Sequence, residues 1–105
     1  MVDQKGPTYY VVFHSPSPKW VAGTPYNEQP EFWDHVKYME ECHAKGKIVL
    51  SGPFMEGAGG MSAGGMTIFK AADLAEAVSL GTEDPTVKPG MLNAEVKPWW
   101  VPFHS

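Results

Sequence analysis

The stretch PEFWDHVKYMEECHAK, Pro30 to Lys45, organises the reading of this chain. Phe32, His35, Val36, Met39, Cys42 and His43 return at the spacing of one helix face. Pro30 suits a first turn, Glu28 and Glu31 suit the positive N-terminal end, and Lys45 followed by Gly46 suits the C-terminal end. The pattern predicts a helix over 30–45. Upstream, Thr8 to His14 (TYYVVFH) is β-branched and aromatic, hence a strand. Tyr9, Val11 and Phe13 face one way, Tyr10, Val12 and His14 the other, and both faces need cover. Between strand and helix, Ser15 to Gln29 is a loop in which Pro16, Pro18 and Pro25 deny a helix. Its length marks it as a functional candidate, with Trp20 and Tyr26 as ligand-facing or anchoring aromatics.

Downstream, Lys47 to Ser51 reads as a short strand that Gly52-Pro53 ends. A Gly-rich connection over Met55 to Gly64 leads into a strand at Gly65 to Lys70. Asp73 to Leu80 is a second helix, with Asp73 as cap, Glu76 completing a capping box, and Gly81 as stop. A turn from Asp84-Pro85 to Pro89-Gly90 precedes a last strand, Leu92 to Val101, where Pro98 marks an edge or a strand end. The order β-α-β-β-α-β is that of a ferredoxin-like α+β fold with an antiparallel sheet. Its helices cover one sheet face. The other still carries apolar residues, and a second copy of the chain is the simplest cover.

Composition bounds the rest. With 105 residues, 43% of them hydrophobic, the chain makes one domain over 1–105, residues 1–7 being a flexible N-terminal extension. Eight lysines stand against 12 acidic residues, a net charge of −4, and there is no arginine. Nucleic acid and membrane surfaces are therefore poor partners. Gly and Pro total 11 plus 10, or 21 residues, below the disordered regime. Lone Cys42 excludes an internal disulfide and a Cys-based metal site; a buried structural thiol is the default. With neither a signal peptide nor a membrane-length apolar run, the expected location is cytoplasmic.

Chemistry is concentrated in few residues. His35 on the apolar stripe is either a satisfied core histidine or an acid/base group facing a pocket. Asp34, adjacent on the helix, points away from it. Asp84 is the better partner, although Asp before Pro also reads as an ordinary cap of a helical turn. His43 lies eight residues on, about 12 Å along the axis. A metal site would need His14 or a distant carboxylate to converge with these, and none is expected. The segment Gly57 to Gly65 lacks the Gly-Lys-Ser/Thr ending and the following helix of a phosphate loop; it reads as a mobile loop or lid. Trp99-Trp100 reads as core plus interface, and His104 as exposed.

Five segments together resemble the YciI (YCII-related) family. They are His35 to His43, Gly46 to Pro53, Gly65 to Phe69, Asp84 to Gly90 and Val96 to Trp99, spread over Thr8 to Phe103. The resemblance implies a dimeric α+β barrel, in which two ferredoxin-like sheets pack face to face, as a homodimer or a higher homo-oligomer. It also implies a His-Asp acid/base pair, here His35 and Asp84, in a cofactor-free enzyme. A related member acts as a dehydrochlorinase in aromatic degradation, and the wider superfamily includes lactone isomerases. The expectation is a lyase or isomerase acting on a compact apolar or ring-cleavage-type substrate. His14, Trp20, Phe32, Met39 and Pro53 are its expected contacts. The alternative is a non-catalytic small-molecule-binding or accessory protein. Some members carry arginine three residues before the helix histidine. Phe32 stands there in this chain and points to a less charged substrate.

Overall fold

The computed structural model describes residues 2–57, 60–87 and 90–105. Strand β1 (Thr8–Pro16) is the pivot of the sheet, flanked antiparallel by β3 (Met61–Phe69) and β4 (Leu92–Trp100). Strand β2 (Ile48–Met55) pairs with β3, giving the order β2-β3-β1-β4. Helices α1 (Phe32–Ala44) and α2 (Leu74–Thr82) complete the ferredoxin-like arrangement. Val12, Cys42 and Phe69 form the buried centre, with Tyr38, Met39, Ile48, Leu80, Ala94 and Val96 packed around it. Alternation along β1 therefore places Tyr10, Val12 and His14 beneath the helices, and Tyr9, Val11 and Phe13 on the opposite face.

A second cluster, Tyr26, Met91 and Leu92, carries Trp20, Phe32 and Val87 at its margin. It anchors the long loop, whose only helical piece is a 3-10 turn, Tyr26–Glu28. Buried Gln29 staples the loop. Its side chain accepts from Val21 N–H at 3.0 Å and donates to the Val21 and Thr24 carbonyls at 3.0 and 2.8 Å. At the other end of the chain, Asp3 N–H donates to the Pro102 carbonyl and Val101 N–H to that of Pro7, both at 2.8 Å.

Several local expectations change. Gly52-Pro53 does not end β2, which runs on to Met55. As an outer strand, β2 can carry a proline whose missing N–H would have faced away from the ladder. β3 starts at Met61 rather than Gly65, so 61–65 are not part of a loop; Ala58 and Gly59 lie outside the described residues. Gly81 is not a stop but a buried helical position. A Cβ there would lie 3.1 Å from a Val12 methyl, so glycine lets α2 sit close on the sheet. The Asp73 cap holds: its carboxylate accepts from Glu76 N–H at 2.9 Å. Glu76, however, reaches Ala72 N–H and Lys47 rather than the cap residue. Helix α1 begins at Phe32, two residues after Pro30, and His43 is exposed rather than inward. Trp99 and Trp100 are 45% and 51% exposed, so neither is core.

Across the sheet from the helices, Phe13, Leu50 and Trp99 are exposed by 37%, 66% and 45%. No helix among the described residues is long and apolar enough to cross a membrane.

Gly64 and Gly65 let β3 run close to its neighbours. A Cβ on Gly65 would lie 2.8 Å from the Gly52 carbonyl oxygen, and one on Gly64 2.8 Å from that of His14. Both obstacles are backbone and cannot swing aside. Gly65→Ala should therefore cost about 1–3 kcal/mol, read as a lower denaturant midpoint with unchanged slope. A midpoint equal to that of the parent would contradict this close approach.

Candidate active site

Two turns of chain bring the decisive side chains together. Asp84 follows the last turn of α2, and Val87 N–H donates to its carbonyl at 2.9 Å, closing a turn. That turn is pinned towards the start of α1. Leu92 N–H donates to the Thr86 carbonyl at 2.7 Å, and Met91 N–H donates to Glu31 Oε2 at 2.9 Å. His35, in the first turns of α1, thereby faces a carboxylate 49 residues away in sequence.

The Asp84 side chain is only 2% exposed, yet every donor it needs is at hand. Oδ1 accepts from Thr86 N–H at 2.9 Å and from Thr86 Oγ1 at 2.7 Å. Oδ2 accepts from His35 Nδ1 at 2.5 Å. Burial by itself would raise the Asp84 pKa. The hydrogen bond and charge of His35, with both Thr86 donors, outweigh it and hold the carboxyl below its ordinary value. Because an ionised carboxylate only accepts, His35 carries its proton on Nδ1. Nε2 is left as the nitrogen able to exchange a proton with a ligand.

His35 borders a cavity of about 160 Å³ between α1 and strands β2 and β3. Its wall includes Tyr26, Phe32, Val36, Pro53, Met61 and Met66, so it is largely apolar. Polar atoms enter at few points: His14, His35, and the hydroxyls of Ser51 and Thr67, which are hydrogen-bonded to each other at 2.7 Å. Tyr26 stands edge-on to His35, ring centroids 6.2 Å apart. Burial, with help from the Asp84 charge, pushes its phenol up to about 12, so it stays protonated. Cys42 is buried and its thiol pKa is raised chiefly by burial, the environment of an inert packing residue.

Of the contacts expected from sequence, His14, Phe32 and Pro53 line the cavity beside His35. Trp20 instead packs in the loop cluster, 5.7 Å from the Tyr26 ring. Met39 belongs to the core, and to a shallower groove running from His35 past Glu40 and His43 along β2. His43 thus stays on the surface side, and no group of three or more His, Cys, Asp or Glu among the described residues is arranged to hold a metal ion. Thr86, Ser51 and Thr67 were not foreseen. Thr86 follows Asp84 by two positions, the spacing of an Asp side chain capping its own turn, a signal that was available. The Ser51–Thr67 pair depends on strand register and had none.

Fold and cavity together define a ferredoxin-like α+β protein with a pocket of small-molecule size. The family model of the YCII-related domain matches residues 8–100, and the chain belongs to that family. A similar solved structure is 5-chloro-2-hydroxyhydroquinone dehydrochlorinase from Burkholderia phenoliruptrix AC1100, in complex with 2,5-dihydroxybenzoquinone. It is 23% identical, with a TM-score of 0.67 over 87% of this chain and 92% of the other, a likeness that shows the fold. No curated protein sequence matches this chain.

Since the folded Asp84 pKa lies below the unfolded one, the carboxylate contributes stability above its ordinary pKa of about 4. That contribution is lost as pH falls through the folded value. Asp84→Asn should lower stability at pH 7 by about 1–3 kcal/mol and flatten the loss of stability below pH ~4. Urea unfolding at pH 7, 5, 4 and 3 would show it. Parallel curves for the two proteins across that range would contradict the assignment.

Proposed function

We propose that the protein is a small-molecule enzyme of lyase or isomerase type, in which His35 transfers a proton and Asp84 orients and charge-compensates it. The observation that carries this reading is the 2.5 Å contact between His35 Nδ1 and the buried, fully satisfied Asp84 carboxylate at the rim of an apolar cavity. A carboxylate on Nδ1 fixes the imidazole tautomer, aims Nε2, and stabilises the imidazolium formed when Nε2 takes a proton. Such positioned proton transfer contributes on the order of 10²–10⁴ in rate.

Cavity size limits the substrate. An apolar cavity of about 150 Å³ holds one benzene ring, and this one measures about 160 Å³. A single-ring molecule with few polar substituents fits. The dehydrochlorinase of similar fold has a single-ring substrate in its name, which agrees with that scale. Phe32 gives the wall an aromatic surface and no fixed positive charge.

A second copy of the chain covers the open sheet face in this reading. Phe13, Leu50 and Trp99 supply an apolar surface there, and β4 adds the neighbouring charges Glu95 and Lys97, 3.5 Å apart. Opposite charges side by side suit an interface that repeats itself about a two-fold axis. Leu50→Lys should shift sedimentation from dimer to monomer; a parent protein that is monomeric at tens of micromolar would end this reading.

Activity is tested with 5-chloro-2-hydroxyhydroquinone, following chloride release. His35→Gln should reduce the rate by about 10²–10⁴ with the parent's circular dichroism spectrum retained. It should also lower the melting temperature, because a donor to the buried Asp84 carboxylate is weakened. Equal rates in parent and variant would remove His35 from the chemistry. Absence of chloride release by the parent would exclude dehydrochlorination.

A further inference from the structure

Among the described residues, Nε2 of His14 is the buried side-chain polar atom that the fold leaves without a hydrogen-bond partner. His14 sits on β1 beneath the helices, in register with Gly65 on β3 and Ala94 on β4. Neither neighbour has a side chain large enough to pack over an imidazole. The residue is 7% exposed and forms part of the cavity wall. Its ring lies edge-on to that of His35, centroids 6.0 Å apart and planes at 88°. Buried polar atoms nearly always have partners, and an exception calls for a reason.

We propose that His14 determines specificity in this cavity, by hydrogen-bonding an oxygen function carried on a single-ring ligand. This rests on the reading of the cavity as a substrate site, but not on His35 acting as the acid or base. Rotation about the Cβ–Cγ bond is soft for an imidazole and can present either nitrogen to the ligand. Among the described residues, the ionisable groups around His14 are His35 on α1, Tyr26 in the 3-10 turn and Asp84 after α2; Gly65 and Ala94 on the flanking strands carry none. Burial lowers the His14 pKa, Asp84 opposes that, and His35 adds to it, with a net lowering. A neutral imidazole offers one donor and one acceptor, so it can serve a hydroxyl or a carbonyl. His35, by contrast, has one nitrogen committed to Asp84. Two adjacent imidazoles thus divide the work: one holds the ligand's oxygen, the other is free for proton transfer.

A site built to bond an oxygen rejects the analogue that lacks it, because the site's own polar atom is then left unpaired. Benzene and phenol are therefore the probes, their affinities measured by calorimetry on the full chain. The parent should bind phenol at least tenfold more tightly than benzene. His14→Leu should reduce that preference to below twofold while benzene still binds. His14→Gln, which keeps a donor and an acceptor, should restore much of it. His35→Gln should leave the preference within threefold of the parent even where turnover is lost, so failure of the acid/base role and failure of this proposal are separable. A parent without preference, or a Leu variant that keeps it, would overturn the proposal. If His14→Leu does not fold, the ¹⁵N resonances of the His14 ring in the parent decide: shifted by phenol but not by benzene supports it, unmoved by both overturns it.

Discussion

A carboxylate 2% exposed is the constraint around which this site is built. Withdrawing an ionised group from water is costly unless protein donors replace the lost hydration. Asp84 meets that demand with three donors: the backbone and hydroxyl of Thr86, and the imidazole of His35. Two come from its own turn and are local. The third crosses 49 residues, and it ties the chain after α2 to the opening of α1. Satisfaction of one buried charge and orientation of one imidazole are the same event, so stability and chemistry are coupled at this point.

The surrounding packing gives that pair its setting. Tyr26, Phe32, Met91 and Leu92 form a second small core between the long loop and α1, and Gln29 holds the loop to itself. A loop that looks free in sequence is thus a packed wall. On the other side, Gly64 and Gly65 let β3 lie close to β1 and β2. Small residues beside His14 leave room above the sheet, and that room is part of the cavity.

Much of this was legible in particular residues. The Phe32 to Cys42 stripe marked α1, Asp73 marked the start of α2, and Pro98 marked an outer strand, all local signals. Asp84 stood out as a partner for His35 because it lies in a turn after the second helix, and the family resemblance strengthened the pairing; nothing in their spacing relates them. Pro53 and Gly81 were misread for a common reason. Proline and glycine punctuate a chain when only local conformation counts, but an outer strand tolerates the one, and close helix–sheet contact requires the other. Trp20 and Met39 were aromatic or apolar near the right place, and packing claimed both.

By itself, the sequence determined the order of elements, the absence of arginine, and the alternation that puts Val12 and His14 on one face of β1. Those properties are local or compositional, set by period, capping and side-chain chemistry. Tertiary structure alone decided that Asp84 meets His35, that Ser51 meets Thr67, and that the imidazole of His14 has small neighbours. Each depends on strand register or on how a turn docks against a helix. Such contacts join residues with no fixed relation along the chain, and only the packed core fixes the distance between them.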